Sequence, residues 1–213
     1  MPRRLPRFDK QFAHSVDAAL KLVATIEQVN SYANATQKAS LTPMQVVLSY
    51  ELAYLRIFTA WEILLEETFT RLICGYAHSG GQEPISGTQV YFRSLPLAER
   101  ALLKDKDYIL WHNPDTVIRR AQQYLTASRY ELVISSAQTR IKHFAAIRHR
   151  IAHAQAHAAK NFDNATTALA GKRYLGARPG RFLRDKTPNV QPPRRWISTI
   201  GFELTALAKQ LCI

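Results

Sequence analysis

The chain has 213 residues, 46% hydrophobic and 10% aromatic, enough for one domain with a real core and an extension but not for two large domains. No run approaches the roughly 18 apolar residues of a spanning helix, and Cys74 and Cys212 alone build neither a disulfide framework nor a cysteine metal cluster. Against 16 acidic residues stand 29 Lys and Arg, a net charge of +13 that points to a polyanion, nucleic acid rather than a membrane surface because the charge is spread along the chain.

The N-terminus MPRRLPRFDKQF is basic, but Asp9, Lys10, Gln11 and His14 break any apolar stretch behind it, so secretion is not expected and a reducing cytoplasm is. Phe8, Phe12, Val16, Ala19, Val23, Ile26 and Val29 recur at three- and four-residue steps, which predicts an amphipathic helix to about Ala35. NATQKASLTP is a polar connector. Thr42-Pro43 reads as an N-cap followed by proline in the first helical position. The long helix opened there carries Val47, Tyr50, Tyr54, Phe58, Trp61, Leu65 and Leu72 on an apolar stripe and is expected to stop at HSGGQEP.

From Gly87 to Asn113 the text is less regular, with GTQVYF as a short extended piece and PLAERALLKDK as a short helix. Asn113-Pro114 repeats the cap-plus-proline signal and opens PDTVIRRAQQYL, after which SRYELVISSAQTRIKHFAAIRHRIAHAQAHAAK reads as one long helical stretch. Residues 171–195 change character: prolines, glycines and eight Lys or Arg leave almost no helical period, a basic loop or arm. Ile197, Ile200, Leu204, Leu207 and Leu211 predict a last helix packing back on the bundle. The organisation expected is a helical bundle over 1–170, a basic arm over 171–195 and a C-terminal helix over 196–213, an all-α fold with up-and-down helices.

The chemistry concentrates in FAAIRHRIAHAQAHA, residues 144–158. On a helix, Ile141, Phe144, Ala145, Arg148, Ile151, Ala152 and Gln155 share a face, so Arg148 interrupts an apolar stripe. An unpaired guanidinium there costs on the order of several kcal/mol of desolvation. An internal ion pair with Glu62, a carboxylate on the apolar flank of the second helix, answers this; so does an anionic ligand. His149, His153 and His157 follow at i, i+4 and i+8 on an adjacent face, while Arg150 points elsewhere.

Guanidinium beside imidazole suits phosphodiester chemistry. Imidazole titrates near neutrality and can take a proton from a ribose 2′-hydroxyl or give one to a leaving oxygen, worth roughly 10² to 10⁴ in rate. Arginine can hold the phosphate bidentately, and a single donor to the developing charge is worth on the order of 10² to 10³. Zinc is the competing reading of His at i and i+4. It lacks the HExxH glutamate, and the neighbouring arginine repels a cation, so neither metal nor cofactor is expected. A helix with purely structural, solvated histidines is the third reading.

RHRIAH, Arg148 to His153, resembles the R-x4-H signature of the HEPN superfamily (higher eukaryotes and prokaryotes nucleotide-binding), and YLRIFTAWEILLEETFTRLI with its Trp61-Glu62 pair is similar to the family's upstream helix. The resemblance covers roughly residues 8–160. It implies a HEPN-like bundle and a metal-independent endoribonuclease, active as a homodimer, that cuts single-stranded RNA by 2′-hydroxyl attack. Arg148 and His153 map onto the family's catalytic positions and His149 onto its supporting polar position, with Glu62 as a supporting carboxylate. Because the i to i+5 offset turns the two catalytic groups about 140° apart on a helix, a two-fold partner would bring them together in a composite cleft. The resemblance further implies a toxin or antiphage defence effector, with an antitoxin such as a minimal nucleotidyltransferase as partner. The alternative is a non-catalytic module of the same family that binds RNA, a nucleotide or a partner protein.

The arm departs from the minimal family pattern. Arg178, Arg181, Arg184, Arg194 and Arg195, with Arg150 from the motif helix, are the candidate RNA-binding cations, and Tyr174, Phe182 and Trp196 among them are what unstacked bases would need. A flexible basic tail, or a segment docked on the bundle or on an antitoxin, accounts for the arm equally well.

Overall fold

The computed structural model describes residues 3–35, 41–78, 87–88, 91–104, 109–174, 176–188 and 190–213. The centre of the first connector, 36–40, and the glycine pair expected to stop the second helix lie outside these residues. Among the described residues the fold is all-α, with helices α1 (Phe8–Ala35), α2 (Pro43–Leu72), α3 (Leu95–Leu103), α4 (Pro114–Tyr124), α5 (Arg129–Ser136), α6 (Gln138–Ala152), α7 (Ala156–Ala170), α8 (Pro179–Arg184) and α9 (Trp196–Cys212). Two short strands, β1 (Gly87–Thr88) and β2 (Leu125–Thr126), pair antiparallel with Thr88 opposite Leu125. No described helix is long and apolar enough to cross a membrane.

Local chemistry sets most of the helix starts. At α2, Gln45 N–H donates to Thr42 Oγ1 at 3.2 Å while Thr42 N–H donates to Gln45 Oε1 at 2.8 Å, a reciprocal box that satisfies two otherwise orphaned donors. Asn113 Oδ1 accepts from Asp115 N–H and Thr116 N–H at the head of α4, and Ser128 Oγ accepts from Glu131 N–H at the head of α5.

Three expectations are corrected. First, α2 ends at Leu72, ahead of the glycine pair. Gly75 takes φ +78°, its N–H donates to Leu72 O at 3.0 Å, and Tyr76 N–H donates to Arg71 O at 3.1 Å, the double closure that a left-handed glycine allows. Second, the alanine-rich stretch after Ser128 is three helices, broken at Ala137 and again over His153–Gln155. Third, the arm is not wholly irregular, because Pro179–Arg184 forms α8.

The chain resolves into two compact units, one from Met1–Ala13, Ala60–Ile141 and Leu204–Ile213, the other from His14–Thr59 and Lys142–Glu203. In the first, Phe69 is fully buried with its ring centroid 5.6 Å from Trp111 and 5.3 Å from Tyr130, and Tyr130 Oη, too deep to reach water, donates to Leu65 O at 3.0 Å. Arg71 lies over the Phe8 ring at 4.8 Å, and Phe12 meets Trp61 edge-on.

In the second unit, Val16, Ala19 and Val23 of α1, Tyr54 and Phe58 of α2, Phe144 and Ile147 of α6 and Phe162 of α7 are buried. The α1 stripe fades beyond Val23, since Val29 is 51% exposed. Tyr54 Oη donates to Phe144 O at 2.8 Å, a buried bond tying α2 to α6. Phe182 of α8 is wholly buried, stacked on Trp196 at 5.0 Å and edge-on to Tyr174 at 5.2 Å. The three aromatics read as platforms for RNA bases are therefore core residues that anchor the arm. Backbone hydrogen bonds from Thr187 N–H to Arg194 O and from Trp196 N–H to Asp185 O close the segment on itself.

Candidate functional site

Phe144 and Ile147 of α6 are buried within the second unit, and this stripe fixes the helix there. Arg148 and His149 follow directly and are therefore half-buried on its shoulders. The helix ends one turn later. His153 N–H still donates to His149 O at 2.9 Å, so His153 is tethered by the last helical bond while its side chain is exposed. Arg150 turns back, Nη1 lying 3.4 Å from His153 O, where a cation covers a carbonyl at the negative end of the helix.

The His149 and His153 rings are 4.5 Å apart between centroids. Burial, then the charges of His153, Arg148 and His157, all push the His149 pKa below its ordinary 6.5, so its imidazole is neutral at pH 7 beside a permanent guanidinium. A neutral imidazole in a positive field can accept a proton, and the same field favours a phosphate over a metal ion. Among the described residues no group of three or more His, Cys, Asp or Glu is placed to hold a metal.

His157 does not share the helix of His149. It sits in the first turn of α7, past the break, and still contributes to the field at His149. Its Nε2 lies 2.9 Å from Asn161 Nδ2, and since an amide nitrogen can only donate, Nε2 accepts. Asn161 was not singled out from the sequence, although its i+4 spacing from His157 is visible there. Glu62 belongs to the other unit, where His112 Nδ1 is 3.5 Å from its Oε1. His112 also went unremarked, having no apolar periodicity around it to mark it.

The candidate RNA-binding cations divide by what holds them. Arg184 grips Glu27 bidentately, Nε to Oε1 at 2.6 Å and Nη2 to Oε2 at 3.1 Å, and Arg195 Nη1 is 3.2 Å from the same Oε1 and donates to Arg184 O. Tyr50 Oη adds a 3.0 Å bond to Glu27. Burial works to raise the Glu27 pKa, but the hydrogen bonds from Arg184 and Tyr50 and the two guanidinium charges outweigh it and hold the carboxyl below its ordinary value. Burial also pushes the Tyr50 hydroxyl far up, well beyond any physiological titration. Arg194 lies over the Phe202 ring at 5.1 Å. Arg178 caps α8, and it and Arg181 are exposed.

No family model, curated protein or solved structure matches the chain.

Proposed function

We propose that the chain is a metal-independent endoribonuclease of the HEPN type, acting on single-stranded RNA as a homodimeric toxin or antiphage effector. The observation that carries this reading is the paired imidazoles of His149 and His153, their ring centroids 4.5 Å apart, next to the Arg148 guanidinium whose charge acts on His149. His149, neutral before the reaction, takes the 2′-hydroxyl proton. The 2′-oxygen attacks the adjacent phosphorus, the P–O5′ bond breaks, and His153, which enters the step as the imidazolium, gives its own proton to the departing 5′-oxygen. Arg148 holds the phosphate oxygens as their charge grows. The products are a 2′,3′-cyclic phosphate and a 5′-hydroxyl. A second copy of the chain completes the cleft.

The test is end-group analysis of a labelled single-stranded RNA digested in excess EDTA. Cyclic phosphate and 5′-hydroxyl ends, and no cut where the 2′-oxygen is methylated, are expected. Cleavage that EDTA abolishes, or 5′-phosphate products, would overturn the mechanism. Binding of RNA without any cleavage would favour the non-catalytic reading.

A further inference from the structure

Two adjoining cavities lie beyond the histidine cluster, both within the second unit. One, of about 660 Å³, runs along α7 from Ala156, the residue before His157, past Lys160, Asn164 and Thr167 to Arg173. The other, of about 720 Å³, begins at the same Arg173 and is lined by Arg181, Lys186, Tyr174 and the salt-bridged cations of the arm. Arg173 is a wall of both. From Ala156 to Ala168 the α7 rise alone covers about 18 Å. His157, Asn161, Asn164 and Ala168, at steps of four, three and four, lie along one edge of the helix, so the edge that starts at the histidine cluster continues as the edge of the groove.

The charges sort into fixed and available ones. Lys172 donates to Asp185 at 2.6 Å, Tyr174 Oη donates to the same oxygen, and Arg184 and Arg195 share Glu27. Arg173, Arg181 and Lys186 are exposed, and among the described residues their side chains have no hydrogen-bond or ion-pair partner. Three cations thus face a concave surface whose one lining carboxylate, Asp185, is already engaged by Lys172 and Tyr174. The α7 groove adds Lys160 beside one carboxylate, Asp163, with Asn164 and Thr167 as polar lining and alanines leaving space between them.

We propose that this pair of grooves is a track for the sugar-phosphate backbone of single-stranded RNA, leading away from the histidine cluster and ending on Arg173, Arg181 and Lys186. The inference rests on the ribonuclease reading for the identity of the polyanion. With Tyr174 and Phe182 buried, the track offers no free aromatic platform and reads backbone, not bases. Association along it is independent of sequence and strongly dependent on salt.

The experiment is fluorescence anisotropy of a labelled, uncleavable 2′-O-methyl oligouridylate over a KCl series, with the wild type and the triple variant Arg173→Ala, Arg181→Ala, Lys186→Ala. Loss of three phosphate contacts lowers the slope of log K against log [KCl] by about 2 and weakens binding roughly tenfold or more at low salt. A control triple at exposed cations elsewhere, Lys10→Ala, Arg119→Ala, Lys209→Ala, leaves the slope unchanged. An unchanged slope in the track variant, or an equal fall in the control, overturns the track. Cleavage of a dinucleotide, too short to reach Arg173, separates the two readings. The wild type cuts it if both hold. If the wild type cuts nothing and the slope still falls, the track stands while the catalytic assignment fails.

Discussion

Gly180 is where a single methyl group should do the most damage for its size. It is the second residue of α8, buried, and its N–H donates to the buried carboxylate Glu51 Oε1 at 3.1 Å. A Cβ there would stand 2.1 Å from Val47 O and 2.9 Å from Val47 C and Cγ1, so α8 rests backbone to backbone on α2. Ordinary contact begins near 3.4 Å, and the obstacle is a helix carbonyl that cannot swing away. In Gly180→Ala, α8 must retreat by about 1 Å, and the Gly180–Glu51 bond lengthens past its useful range. Overpacking costs about 1–3 kcal/mol and a buried acceptor stripped of its donor a similar amount, giving about 2–6 kcal/mol in all. At ~2–4 °C per kcal/mol for a chain of this size, the melting temperature falls by roughly 4–24 °C. Gly201→Ala is the matched control: its Cβ meets side-chain methyls, Val16 Cγ1 at 2.9 Å and Ile57 Cδ1 at 3.9 Å, with no carbonyl of another element in the way, and the gain of ~1 kcal/mol in helix propensity offsets part of the squeeze. Urea unfolding followed by far-UV circular dichroism compares the two. Gly180→Ala within about 1 kcal/mol of wild type, or Gly201→Ala equally destabilised, would refute the packing argument.

Glu27→Gln removes the anion shared by Arg184, Arg195 and Tyr50, and with both guanidinium groups more than a third exposed the cost is held to about 2 kcal/mol. Because the Glu27 pKa is depressed in the fold, its contribution is complete above the ordinary 4.5 and is lost as pH falls through the folded value. The gap between wild type and Glu27→Gln therefore closes in acid, and a gap that stays constant down to pH 3 would contradict it. For His149, proton NMR in the folded protein should give a titration midpoint below 6.5 that moves up in Arg148→Gln, since one of the cations depressing it is gone. A midpoint indifferent to that change would remove Arg148 from the electrostatics of the site.

How far the sequence could be read depended on whether the determinant was local. The bounds of α1 and the starts of α2 and α4 follow from hydrophobic period and from Thr42-Pro43 and Asn113-Pro114, signals contained in a few neighbouring residues. The stop of α2 was local too, but it belongs to one left-handed glycine, Gly75, and not to the more conspicuous pair of glycines after it. No glycine or proline marks the break over His153–Gln155, so nothing in the composition of the segment makes it legible. The six residues of α8 are too few for a period, and their burial depends on Phe182 reaching Trp196 and Tyr174. The same distinction holds at the site. Arg148, His149 and His153 stand together in the sequence and together in space, whereas the ion pairs of Glu27 and the room around Arg173 are visible only in the fold.

The ribonuclease reading is tested most directly by incubating single-stranded RNA in EDTA with wild type, Arg148→Ala and His153→Ala, each shown folded by its melting curve. Wild type cleaves at an undiminished rate in the chelator, and each variant loses activity by about 10² or more. Cleavage retained by both variants, or none by the wild type, would contradict the account.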